Sequence, residues 1–302
     1  MNKIYILLVL FGIMLFSCNR NNNEGYLENE ETVNVATKSD ISNIVETTGV
    51  NNIVNNEDTE IISLNNQKLR INSDDYFGDD SDRCPILRVE VSEDESKRNF
   101  ICLTFDSAYI NSYTYQILDI LDRYDAKATF FMTGEFIRSN ILQVREIINR
   151  GHDIGSHSYS HPNFNELSNE KIIKQIEMTH KLVKDNFGID MYLFRYPFGS
   201  YSKRTVKVIK ELGYYPIQWT YDSVDWKNEG VNAILDRFAG GANLDPGNII
   251  LFHNGANFTP EALPTIMEHI KRKGLKSVRI SDMIYEKKFY IDSLGCQHKK
   301  TN

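Results

Sequence analysis

From Asn99 to Ile284 the chain alternates short apolar runs with amphipathic stretches of helical period, and no other feature constrains its fold as strongly. Phe100 to Phe105 reads as a buried strand. Tyr115 to Tyr124, with Ile117, Leu118 and Leu121 at helical spacing, reads as a helix. The series continues through strand Ala128 to Met132, helix Ile141 to Asn149, strand His152 to Gly155, a long helix from Ser168 to Phe187, strand Tyr192 to Phe194 and helix Ser202 to Leu212. Strand Tyr215 to Thr220, helix Val231 to Gly240, strand Asn248 to Phe252, helix Pro260 to Lys273 and strand Ser277 to Ile280 complete it. Ser168 suits an N-cap and Gly188 a stop. Strands separated by helices pair in parallel, with the helices outside. The spacing suits a small, incomplete α/β barrel of about seven units, with an open doubly wound sheet as the competing arrangement.

Polar residues fall at one place in this pattern. Asp106 follows the first strand, His157 and His161 the third, Arg195 the fourth, Asp222 and Asp225 the fifth, and His253 the sixth. All lie just past the carboxyl end of an expected strand, which is the face of an α/β barrel that carries active sites. In His157-Ser158-Tyr159-Ser160-His161, two imidazoles four residues apart can share one divalent cation, and Pro162 makes the segment a turn. Alone, such a pair reads equally well as surface or core histidines; Asp106 and His253 on the same face favour the metal. Bland readings stand beside the others: Arg195 as a structural ion-pair residue, Trp226 as a core aromatic, and Asp222 as a loop cap. His152, His180, His269 and His298 have no partner motif and read as structural or exposed.

Five segments in order carry a resemblance: Leu103-Thr104-Phe105-Asp106, His157-Ser158-Tyr159-Ser160-His161, Arg195-Tyr196-Pro197-Phe198-Gly199, Asp222-Ser223-Val224-Asp225-Trp226 and Leu251-Phe252-His253. Together they resemble the motifs of the polysaccharide deacetylases, the NodB-homology family of carbohydrate esterases (family 4), and look closest to bacterial peptidoglycan deacetylases. The resemblance implies a distorted (β/α)7 barrel and a hydrolase that removes N-acetyl groups from cell-wall amino sugars, N-acetylglucosamine ahead of N-acetylmuramic acid. It implies a divalent metal, Zn2+ or alternatively Co2+, on His157 and His161, with Asp106 as base and His253 as acid. Arg195 would orient Asp106 and Asp225 would orient His253, while Phe198 contributes its N–H to the oxyanion site and Trp226 and Leu251 receive the acetyl methyl. The family's first motif normally has a second Asp as the third metal ligand. Here Ser107 stands in that place, so weaker or differently selective metal binding is expected. A glycan-binding module with weakened catalysis, or a deacetylase of chitin or xylan, are the alternatives.

The segment before the barrel has another character. Lys3 followed by an apolar run from Ile4 to Phe16 is shorter than the roughly 20 residues of a membrane span and matches an export signal. Leu15-Phe16-Ser17-Cys18 resembles a bacterial lipobox, which implies lipid on Cys18 and residence on the outer face of the cell membrane, with free secretion as the alternative. Residues 19–83 hold 14 Asp+Glu against 5 Lys+Arg and few aromatics, the composition of a flexible tether. The whole chain's charge of −7 therefore resides in the tether, and residues 84–290, the expected catalytic domain, are close to neutral. That balance excludes a nucleic-acid binder, which needs a cationic surface. A tail is expected over 291–302. The expected partner is the glycan strand of peptidoglycan, bound by a monomer. Cys84, Cys102 and Cys296 leave at least one thiol unbridged, with Cys84 free to pair with either of the others.

Overall fold

The computed structural model describes residues 84–92, 94–108, 113–239 and 244–300. The export signal, Cys18 and the tether lie outside the described residues. In chain order the elements are β1 (Arg88–Val89), β2 (Phe100–Ser107), α1 (Thr114–Arg123), β3 (Ala128–Met132), α2 (Gly134–Ser139), α3 (Ile141–Asn149), β4 (Asp153–Ser156), α4 (Asn169–Phe187), β5 (Leu193–Phe194) and α5 (Lys203–Glu211). There follow β6 (Tyr215–Pro216), β7 (Tyr221–Asp222), α6 (Val231–Ala239), β8 (Ile249–His253), α7 (Thr259–Arg272), β9 (Lys276–Ser277), α8 (Ile280–Met283), β10 (Phe289–Ile291) and β11 (Cys296–Lys299).

Seven parallel strands run in the order β6-β5-β4-β3-β2-β8-β7, and β9 pairs with the start of β2. This is the curled sheet of a distorted (β/α)7 barrel, the fold that the resemblance implies, and it decides against the open doubly wound sheet. The central strands β2 and β3 are buried along nearly their whole length, because helices cover one face and the barrel interior the other. Phe105 stacks on Phe130 and Phe252, with ring centroids 5.0 and 5.6 Å apart, beneath the helices. On the inner face Cys102, Phe131, Leu193, Tyr215 and Ile249 pack against Val89, Ile280, Met283, Phe289 and Ile291. Each fully buried Phe of this kind contributes about 1.5–3 kcal/mol. The local signals act as expected: Ser168 Oγ accepts the Lys171 N–H, and Ser202 and Thr205 form a reciprocal capping box.

Three expectations are corrected. Tyr215 to Thr220 is not one strand. β6 ends at Pro216, and the chain crosses to the opposite edge of the sheet to enter β7 beside β8. Residues 86–89 fill the seam between those edges: Ile86 N–H donates to the Pro216 carbonyl (2.8 Å), Gln218 N–H donates to the Ile86 carbonyl (2.7 Å), and Arg88 bridges Asn248. Gly247, at φ +82°, is required there, since a Cβ would stand 1.8 Å from the Val89 carbonyl oxygen. The expected strand Ser277 to Ile280 shortens to β9, because Ile280 turns into α8 with its N–H on Thr129 Oγ1. The expected tail 291–302 instead holds β11, parallel to β1 and antiparallel to β10. Phe289, Ile291, Cys296 and Gln297 are buried by that pairing, and the Gln297 side chain bonds both the N–H and the carbonyl of Tyr285. No disulfide joins Cys84, Cys102 and Cys296 among the described residues.

Candidate active site

The strand ends converge on one groove of about 550 Å3, lined by Asp106, His157, His161, Phe198, Trp226, Leu251 and His253 among others. Parallel pairing accounts for the convergence. Asp106 and His253 are register partners at the carboxyl ends of β2 and β8, so both side chains leave the sheet on the same side. His157 follows β4 and Arg195 follows β5, with the Arg195 N–H on the Ser156 carbonyl.

Arg195 is completely buried and reaches across the barrel. One guanidinium nitrogen donates to Asp106 Oδ1 (2.9 Å) and Thr104 Oγ1 (2.8 Å), and another donates to the Gln218 carbonyl (2.9 Å). The guanidinium lies 4.1 Å over the Phe131 ring. Burial by itself would raise the Asp106 pKa; Arg195, then His157 and His253, outweigh it and hold the carboxyl below the ordinary range. Asp106 is therefore an ionised carboxylate, almost fully buried at the base of the groove. On the other flank Asp225, itself buried, accepts His253 Nδ1–H at 2.7 Å, the His253 N–H at 2.8 Å and Thr259 Oγ1–H at 2.6 Å. Burial would lower the His253 pKa, but the hydrogen bond and charge of Asp225 raise it above the usual imidazole value. One mouth thus holds a carboxylate kept charged and an imidazole biased toward its protonated form.

Between them lie His157 and His161. The Arg195 carbonyl can only accept, so the contact at 2.9 Å requires that His157 Nδ1 carry the proton. His157 Nε2 then presents its lone pair 3.2 Å from His161 Nε2 and 3.5 Å from Asp106 Oδ2. Burial lowers both imidazole pKa values, that of His161 to about 4, so both rings are neutral. Two neutral imidazole nitrogens beside a carboxylate fit a divalent cation of the zinc class. Ser107 is fully buried and is not part of the groove lining, and its hydroxyl has no hydrogen-bond partner. An orphaned oxygen agrees with a nearby ligand, but it brings no charge to one.

Backbone strain gathers on the same loops. Ser158, His161, Phe198, Val224 and Asn228 all have positive φ, at 70°, 59°, 60°, 58° and 54°. For branched Val224 this is costly, on the order of 1–2 kcal/mol. Surrounding contacts impose it: Asp222 Oδ1 accepts the Val224 N–H at 2.7 Å, which bears out the loop-cap reading of Asp222. Ser158 Oγ accepts the His161 N–H (2.9 Å), and Gln175 Oε1 accepts the N–H of both Tyr159 and Ser160 (2.9 Å each). Phe198 and Trp226 are exposed and Leu251 is buried, so Trp226 is a groove wall and not a core aromatic. The sequence reading places Thr104 in a motif but assigns it no role, and has no place at all for Gln175, Gln218 and Thr259. A polar Thr104 inside an apolar strand was a signal; Gln175 and Thr259 sit on helices remote in sequence and had none.

Comparison with known proteins agrees with this geometry. A family model described as polysaccharide deacetylase matches residues 93–217. A peptidoglycan-N-acetylglucosamine deacetylase of Bacillus cereus is 33% identical over 194 residues, covering 63% of this chain and 90% of that protein. The chain belongs to the polysaccharide deacetylase family. These proteins are hydrolases of carbon–nitrogen bonds other than peptide bonds. The peptidoglycan-N-acetylmuramic acid deacetylase PdaA of Bacillus subtilis is 32% identical, covering 66% of this chain and 76% of that one. A solved family 4 carbohydrate esterase from Bacillus anthracis, described as a pseudoenzyme, aligns with TM-score 0.61 at 30% identity over 72% of this chain and 73% of that chain.

Proposed function

We propose that this polysaccharide deacetylase hydrolyses N-acetyl groups of peptidoglycan amino sugars in a metal-dependent reaction, N-acetylglucosamine ahead of N-acetylmuramic acid. The observation that carries the reading is the pairing of two oppositely tuned groups, Asp106 with Arg195 and His253 with Asp225, on either side of His157 and His161. His157 and His161, with Ser107 or water completing the set, would hold a Zn2+-class ion whose Lewis acidity acts on the attacking water and the acetyl carbonyl. Asp106 takes the proton of the water, and Arg195 keeps its carboxylate ionised and aimed. His253 gives its proton to the departing amine, and Asp225 stabilises the imidazolium until it does. The Phe198 N–H stabilises the oxyanion, and Leu251 and Trp226 shelter the methyl group from water. The names of the Bacillus cereus and Bacillus subtilis relatives support the substrate class.

Acetate release from purified peptidoglycan with added zinc or cobalt tests the reading, with mass spectrometry of the muropeptides identifying the sugar. Wild-type protein is expected to release acetate and His253→Ala to lose that activity; equal release by both would remove the proposal. A second reading, a glycan-binding module without turnover, is favoured by the neutral Ser107 and by the pseudoenzyme among the structural neighbours. Binding to peptidoglycan with no acetate released at any metal concentration would decide for it. We further propose export and a lipid on Cys18, which would hold a monomer at its wall substrate. Labelling with a radioactive fatty acid should mark the wild type and not Cys18→Ala.

A further inference from the structure

The hairpin of β10 and β11 carries three metal-type donors that the groove does not use. Cys296 and His298 are two residues apart on β11, so their side chains leave the same face of the strand. Asp292 stands in the turn before them. Its Oδ1 accepts the N–H groups of Leu294 and Cys296, each at 2.9 Å, which aims Oδ2 at His298 Nε2, 3.0 Å away. The Tyr290 ring stacks on His298 with centroids 4.8 Å apart and planes at 12°, fixing the imidazole. One ligand atom from each of Asp292, Cys296 and His298 lies within 4.8 Å of the others.

We propose that Asp292, Cys296 and His298 form a second binding site for a divalent transition-metal cation of the zinc class, separate from the His157 and His161 pair. Tetrahedral zinc, with bonds of ~2.0–2.3 Å, holds its donors roughly 3.3–3.6 Å apart. The Asp292 and His298 atoms, 3.0 Å apart, are already near that spacing, and the ion would draw in the Cys296 sulfur from within 4.8 Å. A thiolate with an imidazole selects zinc or cobalt over calcium and magnesium, which prefer all-oxygen sites. Binding sends the thiol proton to solvent and moves the proton that His298 Nε2 now donates to Asp292 onto Nδ1, so that Nε2 offers its lone pair. Asp292 and Cys296 then balance the ion's two charges, while Arg88 and Glu90 beside Cys296 oppose each other. Asp292 and His298 are partly exposed, which gives the ion a route in and leaves a fourth position for water. The ion would lock the turn onto β11. Leu87 N–H donates to the Gly295 carbonyl at 2.8 Å within that turn, so the lock extends to the strand that fills the barrel seam.

Cobalt titration of the full chain and of His157→Ala/His161→Ala tests this, read by near-ultraviolet thiolate-to-cobalt absorption and by bound metal per chain. The double variant is expected to keep the thiolate band and one ion, and its unfolding midpoint should rise with cobalt. Cys296→Ser should lose the band and the midpoint rise, and His298→Gln should weaken cobalt binding at this site at least tenfold, with circular dichroism reporting that each variant is folded. Absence of the band from the double variant, an unchanged band in Cys296→Ser, or a Cys84 to Cys296 disulfide found by peptide mapping would each overturn the proposal.

Discussion

Arg195→Met isolates the contribution of one buried charge to this barrel. Arg195 and Asp106 are 2.9 Å apart with side-chain exposures of 0% and 6%, so bulk water screens the pair little. At an effective dielectric constant of ~20, unit charges at that separation attract by about 6 kcal/mol. Much of this offsets desolvation, and removing one partner of such a pair costs roughly 3–5 kcal/mol, because the other charge is left buried and alone. The loss is a large share of the ~5–15 kcal/mol that stabilises a typical domain. Its pH dependence has a definite sign. In the wild type the depressed Asp106 pKa contributes stability above the unfolded carboxylate value of about 3.9, whereas in Arg195→Met burial raises that pKa and the contribution reverses. The variant's deficit is therefore largest near neutrality and shrinks as pH falls through about 4. Urea unfolding of the wild type, Arg195→Met, Asp106→Asn and the double variant closes a thermodynamic cycle. The double variant should recover most of the loss, with a coupling of roughly 3 kcal/mol. A coupling below about 0.5 kcal/mol, or a deficit independent of pH, would refute the argument that Arg195 is present to balance Asp106.

Other outcomes follow from the same contacts. Ser107→Asp puts a charged oxygen next in sequence to Asp106 and should raise zinc affinity about tenfold or more by calorimetry; unchanged or lower affinity would count against residue 107 standing near the ion. Asp225→Asn removes the charge that raises the His253 pKa, so the alkaline limb of the activity profile should move to lower pH; a limb that stays in place would assign it to another group. Stability contributed by His253 should likewise be present below about pH 6.5 and disappear as pH rises through its raised folded value, a dependence that Asp225→Asn abolishes in denaturant titrations. Gln175→Ala leaves the part-buried Tyr159 N–H and the exposed Ser160 N–H without their acceptor and should cost about 0.5–1.5 kcal/mol and weaken zinc binding, whereas Gln175→Glu keeps the acceptor and retains both.

The sequence by itself determined the alternation of parallel strands with helices between Phe100 and Lys273, most of those spans to within a few residues, and the set of polar residues that line one mouth; it left a barrel and an open doubly wound sheet both standing. These were legible because burial on both faces writes continuous apolar runs such as Phe100 to Phe105, helix burial writes a 3.6-residue period, and parallel strands present all their carboxyl ends to one side. Only the tertiary structure decided which segments meet across the chain. Tyr215 to Thr220 reads as one strand, yet β6 keeps only Tyr215 and Pro216, and the chain beyond it crosses to β7 at the opposite edge of the sheet, with residues 86–89 in the seam between. Nothing near residue 296 announces a strand whose partner is 208 positions earlier at Arg88, and the Asp292, Cys296 and His298 cluster exists only once that pairing has formed. Gln175 reaches the His157 to His161 loop from α4, and Thr259 reaches Asp225 from α7, by the same cause. Periodicity records how each residue is buried against an average neighbour, whereas hydrogen-bond and charge partners depend on specific atoms delivered from distant parts of the chain, and these carry no local pattern.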